Sequence, residues 1–89
     1  MAQAKVTIVN RLGLHARAAA KFVNLAKTFS SEVGLSKGGE TVDGKSIMSV
    51  MLLAAPIGTE MQLSVTGSDE AEALVALEEL IKDRFGEPD

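Results

Sequence analysis

His15 is the only histidine in the chain, and it stands in the segment Asn10-Arg-Leu-Gly-Leu-His-Ala-Arg-Ala-Ala. Gly13 lies two residues before it and Arg17 two after it. Downstream, Ala19, Phe22, Val23, Ala26 and Phe29 recur at i, i+3, i+4, i+7 and i+10, which predicts a helix from Ala16 to about Phe29. His15 therefore falls at or just before the first helical turn. There the backbone N–H groups of Ala16, Arg17 and Ala18 lack intrahelical partners, and the positive end of the helix dipole emerges. Both favour the neutral imidazole, and a neutral imidazole is a nucleophile. If its ring took up a phosphoryl group, the same N–H groups would become anion donors. Arg17 would add a charge-assisted hydrogen bond. Dipole-scale contacts of roughly 0.3–1 kcal/mol each would hold such a group without trapping it. By spacing alone, Gly-x-His-x-Arg is a weak pattern; a loop histidine beside a solvated helix arginine would look the same.

The elements that must position this segment follow from periodicity. Val6 and Ile8 alternate with Lys5 and Thr7 as a half-buried strand. Asn10 to Leu14 reads as a loop, with Gly13 giving the backbone its turn. Val33 and Leu35 alternate again, Lys37 to Glu40 carries a Gly-Gly turn, and Thr41 to Asp43 returns as a short strand. Ser46 is placed to cap a short helix ending near Leu53, and Pro56 with Gly58 makes the next turn. Met61, Leu63 and Val65 form a fourth alternating strand. A last helix opens at Ser68 or Asp69, where Asp69 and Glu72 have capping-box spacing. It buries Leu74, Leu77 and Ile81, flanked by Ala73 and Leu80, and stops at Gly86 and Pro88. The order is βαββαβα. Every strand has one apolar face, which suits an α+β domain with an antiparallel sheet covered by helices on one side. No linker or repeat divides residues 1–89, so a single domain is expected.

Composition narrows the function classes. At 89 residues the chain holds one core, and 46% apolar with 24% charged residues describes a folded globule. The formal charge of −3 argues against phosphate-driven nucleic-acid binding. With no cysteine and one histidine, disulfides and the usual thiolate or multi-histidine metal sites are excluded, and no cofactor is expected. The longest apolar run, Ile47 to Ile57, is interrupted and far too short to span a bilayer. Met1 to Lys5 lacks the apolar stretch of a signal peptide, so a cytoplasmic protein without membrane insertion is the expectation.

The short second helix is apolar on both sides. Ile47, Met48, Met51 and Leu52 form one arc, whereas Val50 and Leu53 point the opposite way. One arc must face the sheet, leaving the other in water. An exposed patch with two methionines suits docking on unlike partners, because methionine repacks easily. Arg17, Lys27 and Lys45 would ring it with positive charge and meet acidic partners despite the negative total.

Gly13-Leu14-His15-Ala16-Arg17, followed by Ala19-Ala20 and Phe22-Val23, resembles the phosphorylation site of HPr, the histidine-containing phosphocarrier family of the bacterial phosphotransferase system. The likeness extends through Gly44-Lys45-Ser46-Ile47-Met48, Gly58-Thr59 and Gly67-Ser68-Asp69-Glu70-Ala71. It implies an open-faced β-sandwich, four antiparallel strands with three helices on one face. It also implies a phosphoryl carrier rather than an enzyme. His15 would be phosphorylated on Nδ1 by enzyme I, ultimately from phosphoenolpyruvate, with Arg17 stabilising the group, and would pass it to an enzyme IIA in sugar uptake or its regulation. The resemblance assigns the short second helix, with Ile47, Met48, Met51 and Leu52, to the partner surface beside His15; Leu14, Lys27 and Lys45 are expected to complete that surface, on a monomer. It makes Ser46 a candidate phosphoserine for an HPr kinase/phosphorylase.

Ala18 stands where the family usually has proline. Leu12 and Ala16 are more similar to the nitrogen-branch carrier. A non-catalytic HPr-like regulatory module is the alternative from another class. An RNA-binding βαββαβ domain is disfavoured by strands without aromatics, and an acyl carrier by the strands themselves.

Overall fold

The computed structural model describes all 89 residues. The chain runs β1 (Ala2–Thr7), α1 (Ala16–Ala26), β2 (Glu32–Lys37), β3 (Glu40–Asp43), α2 (Ile47–Leu52), β4 (Glu60–Thr66) and α3 (Glu70–Lys82), then a 3₁₀ turn at Arg84–Gly86. The strands form one antiparallel sheet in the order β1-β4-β2-β3. In its register Val6 faces Met61, Val33 faces Val65 and Leu35 faces Leu63. All six are buried, so alternation along each strand puts the apolar residues on one face. Glu32, Lys5 and Gln62 mark the opposite, solvated face. This is the expected open-faced architecture, with three α-helices over a four-stranded sheet.

The core is aliphatic with two buried phenylalanines. Phe22, Val23, Ala19 and Ala26 of α1, Val50 of α2, and Ala73, Leu77 and Ile81 of α3 lose essentially all solvent contact against the strands. Leu74 and Leu80, expected in the same stripe, are only half-buried at its flanks. Ile8 lies just past the end of β1 and is also fully buried, its N–H donating to Thr59 O at 2.9 Å.

Two termini differ from the sequence expectation. Helix α1 ends at Ala26 rather than near Phe29, because the chain tightens there. Thr28 N and Phe29 N bond to Leu25 O and Ala26 O in i→i+3 turns, and the Thr28 hydroxyl also takes Leu25 O at 2.7 Å. Asp69 does occupy the N-cap of α3, but its side chain makes no capping bond, so the capping box with Glu72 does not form. Its carboxylate instead accepts from Ser31 Oγ, from Ser30 N at 2.8 Å and from Ser31 N at 3.0 Å, fastening the segment after α1 to the start of α3. These bonds, the Ser31 hydroxyl foremost, hold the Asp69 carboxyl below its usual range.

Candidate functional site at the start of the first helix

Asn10 to His15 is a tight loop fixed on both sides. Gly13 N donates to Asn10 O at 3.1 Å, and Leu14 N donates to Ala55 O at 2.8 Å, which sets the loop against the segment following α2. Gly13 has φ +71°, and a Cβ there would stand 2.6 Å from Ala55 O, so both conformation and space require glycine. His15 is the N-cap of α1, with extended backbone, and its carbonyl accepts the first helical bond from Ala19 N at 2.8 Å. Its side chain makes no capping bond. The N–H groups of Ala16, Arg17 and Ala18 accordingly have no partner within the protein.

The imidazole borders an open cleft of about 620 Å³, walled by Arg11, Leu12, Ala16 and Arg17 on one side and by Glu87, Pro88 and Asp89 on the other. Its side chain keeps 28% of its surface in solvent. Nε2 is hydrogen-bonded to Glu87 Oε2. The second Glu87 oxygen accepts from Asn10 Nδ2 at 3.0 Å, and Asn10, fully buried, also donates from Nδ2 to Gly13 O at 2.7 Å. Burial would raise the Glu87 pKa. The hydrogen bonds from Asn10 and His15, helped by electrostatic attraction to the neighbouring His15 ring and Lys21, outweigh it and keep the carboxyl below its usual range. Arg17 is exposed and makes no ion pair, free to meet an anion in the cleft. Arg11, in contrast, reaches Asp89 at 3.9 Å.

Glu87 and Asn10 are the site residues that sequence reasoning missed. Nothing periodic marks them, since Glu87 lies 72 residues from His15 and beyond the last helix. A signal did exist in Phe85, one of only three aromatics, placed past the end of the helical stripe. It is completely buried and anchors the tail.

Leu14 requires a correction. Expected on the partner surface, it is buried in the core with 6% exposure, because the bond to Ala55 O turns its side chain inward. The arc on α2 is as expected. Val50 and Leu53 are buried, while Ile47, Met48, Met51 and Leu52 are exposed, Met48 and Leu52 by 76% and 77%. Leu12, 66% exposed beside His15, extends the apolar surface to the cleft. The end of α2 adjoins the His15 loop through Ala55, whereas Lys45 Nζ donates to Phe29 O at 2.8 Å and ties its beginning to the far end of α1. Arg17 and the pair Lys27 and Lys45 therefore flank the patch at opposite ends of α1, whose 11 residues span about 16 Å. Ser46 caps α2, its hydroxyl accepting from Ser49 N at 3.3 Å.

Comparison with known proteins gives the family. The family described as "PTS HPr component phosphorylation site" matches residues 2–83. The phosphocarrier protein HPr of Cupriavidus necator is 55% identical over 87 residues, covering 98% of each chain. That of Pseudomonas aeruginosa is 55% identical over 84 residues, covering 93% of each. Among solved structures, HPr-C-His from Thermoanaerobacter tengcongensis superposes with a TM-score of 0.96 at 44% identity, covering all of both chains. An open-faced sheet under three helices, a histidine at the head of the first of them, and this degree of likeness lead to one conclusion: the chain belongs to the HPr family, the phosphocarrier proteins of the phosphotransferase system.

Proposed function

We propose that His15 is the phosphoryl acceptor, taking the group on Nδ1 from enzyme I, with phosphoenolpyruvate as the ultimate donor, and passing it to an enzyme IIA. The observation that carries this reading is the His15 side chain itself. It heads α1 without capping it, and so leaves three N–H groups and the Arg17 guanidinium uncommitted beside an open cleft. A tetrahedral dianion needs such donors. In the transfer the Nδ1–P bond forms as the P–N bond on the donor's histidine breaks, and the reverse exchange follows with the enzyme IIA. Arg17 and the N-terminal N–H groups hold the oxygens in both. The exposed arc of Ile47, Met48, Met51 and Leu52, flanked by Arg17, Lys27 and Lys45, is the docking face for both partners. In this reading the protein acts as a monomer, a single HPr-like unit over residues 1–89, in the cytoplasm. Sugar uptake or its regulation is the pathway of this reading. Exposed Leu12 at the rim of the cleft favours the nitrogen branch as the second.

The test is incubation with enzyme I and labelled phosphoenolpyruvate. The intact protein acquires an acid-labile label on His15. His15→Ala keeps its circular dichroism and thermal transition and acquires none; appreciable labelling of that variant overturns the assignment.

A further inference from the structure

Beyond Lys82 the chain leaves the helix and turns back on itself. Arg84 and Phe85 both take left-handed backbone conformations, with φ of 56° and 55°, followed by Gly86 at 79°. Non-glycine residues reach that region at a cost, and persist there only when their surroundings fix them. Here the Phe85 side chain is sealed in the core and its carbonyl accepts from Lys21 Nζ at 2.8 Å. The result is a reversal that returns the last three residues to the head of α1. There Asp89 O accepts from Arg11 N at 2.8 Å, and Glu87 arrives against His15.

The receiving side is also specific. Asn10 is fully buried, and its Nδ2 faces two acceptors, Gly13 O and Glu87 Oε1, which fixes the orientation of the amide. Its Oδ1 then has no partner. A buried amide with an orphaned oxygen is a poor choice for stability alone. What Asn10 does accomplish is to hold one Glu87 oxygen so that the other meets Nε2. Asn10 and His15 lie within the residues matched to the family, 2–83, and Glu87 reaches them from beyond that span.

We propose that Glu87 is a positioning residue for His15. By accepting the Nε2 proton it selects the tautomer whose lone pair is on Nδ1, and it fixes the plane of the ring over the cleft. The inference rests on His15 being the acceptor. As the Nδ1 lone pair forms the bond to phosphorus, the proton stays on Nε2 and the ring becomes formally cationic. The Glu87 carboxylate balances that charge without taking the proton, and the leaving nitrogen of the donor keeps the electron pair of the broken P–N bond. A carboxylate behind a histidine plays the same part in hydrolytic triads. The helix N-terminus repels a cationic ring, and Glu87 offsets this from the opposite edge.

Two measurements on the full chain test this. In protein carrying ¹⁵N-histidine, the nitrogen shifts should report the Nε2–H tautomer in the parent and a mixture of tautomers in Glu87→Ala. In steady-state phosphorylation by enzyme I, Glu87→Ala should lower kcat by about tenfold or more, by analogy with carboxylates that orient metal-ligating histidines, with KM unchanged because the docking face is untouched. Glu87→Gln should rescue only in part, since an amide presents one acceptor oxygen to two donors. Amide spectra of α1 and urea unfolding establish that the variants are folded. Unchanged kcat with the Nε2–H tautomer retained in Glu87→Ala would overturn the role of Glu87 and leave His15 as the acceptor. Label on Nε2 in the parent would overturn the tautomer assignment. A parent that takes no label at His15 removes the carrier reading, and this proposal with it.

Discussion

Replacing Ala18 by proline separates two properties that the head of α1 combines. Ala18 is the third helical residue, fully buried, and its N–H makes no bond in the unphosphorylated protein; the capping bond from His15 that its position would allow is absent. Proline there removes no existing hydrogen bond, and a first-turn site tolerates its φ. Restricting the unfolded chain should then stabilise the protein by about 0.4–1 kcal/mol. For a chain of this size that raises Tm by about 2–8 °C. Crowding of Arg17 by the new ring works against the gain and favours the lower end. In the phosphorylated state the sign reverses, because one of the three N–H groups available to the phosphoryl oxygens has gone. A hydrogen bond to a charged group contributes about 1.5–3 kcal/mol, so the phospho-form should weaken by roughly 10- to 100-fold relative to the parent. Calorimetry measures the first effect. The exchange equilibrium with phosphorylated enzyme I and the hydrolysis half-life of the purified phospho-protein measure the second. A half-life equal to or longer than the parent's would refute a phosphoryl contact by the Ala18 N–H. A lowered Tm would show that packing around residue 18, not its backbone freedom, dominates.

Ser46→Asp should leave the fold intact and stabilise it slightly, by about 0.3–1 kcal/mol, because a negative cap suits a helix N-terminus. The charge lies next to exposed Ile47 and Met48, and a like charge about 4 Å away in water contributes roughly 1 kcal/mol. Affinity for enzyme I, read by titration calorimetry, should therefore fall about fivefold; unchanged affinity would refute a regulatory effect of negative charge at residue 46. Acid should destabilise the protein through Asp69, Glu70 and Glu87, all held below their ordinary pKa values. Glu70 owes this first to Gly67 N and then to the N-terminal ammonium 3.1 Å away. Depressed folded-state values mean that the unfolded chain binds more protons. The stabilisation is complete above the unfolded carboxylate range and is lost as pH falls below about 4. Urea midpoints between pH 6 and pH 2 should trace that loss, and Asp69→Asn should flatten it.

What could be read from the sequence was whatever depends on neighbours a few residues apart. The strands through Val33 and Leu35 and through Met61, Leu63 and Val65, the α1 face, the Ser46 cap and the two-sided character of α2 all rest on local periodicity or local hydrogen bonding. The missed features depend on side chains that meet across the fold. Asp69 has capping-box spacing, yet donors 38 residues away claim its carboxylate. Leu14 sits in a loop with no period to reveal which way it points, and one bond to Ala55 O turns it inward. Glu87 stands between Gly86 and Pro88, the helix stop, where no periodicity assigns it a partner. Only the left-handed pair Arg84 and Phe85, invisible in composition, returns it to His15.

The strand order also governs how the chain meets its own synthesis. β1 pairs only with β4, from Thr7 opposite Glu60 to Ala2 opposite Val65. On the ribosome, Val6 and Ile8 emerge early and have no strand to join until residue 66 has cleared the exit tunnel. At about 5–20 residues per second that is an interval of several seconds, with the first apolar strand unpaired. Folding is thus deferred until most of the protein has been made, and translation that stalls between β3 and β4 releases a chain unable to close its sheet. Such fragments are natural substrates for chaperones and proteases, and the cell's tolerance of them depends on how fast the codons from β3 to the end of β4 are read.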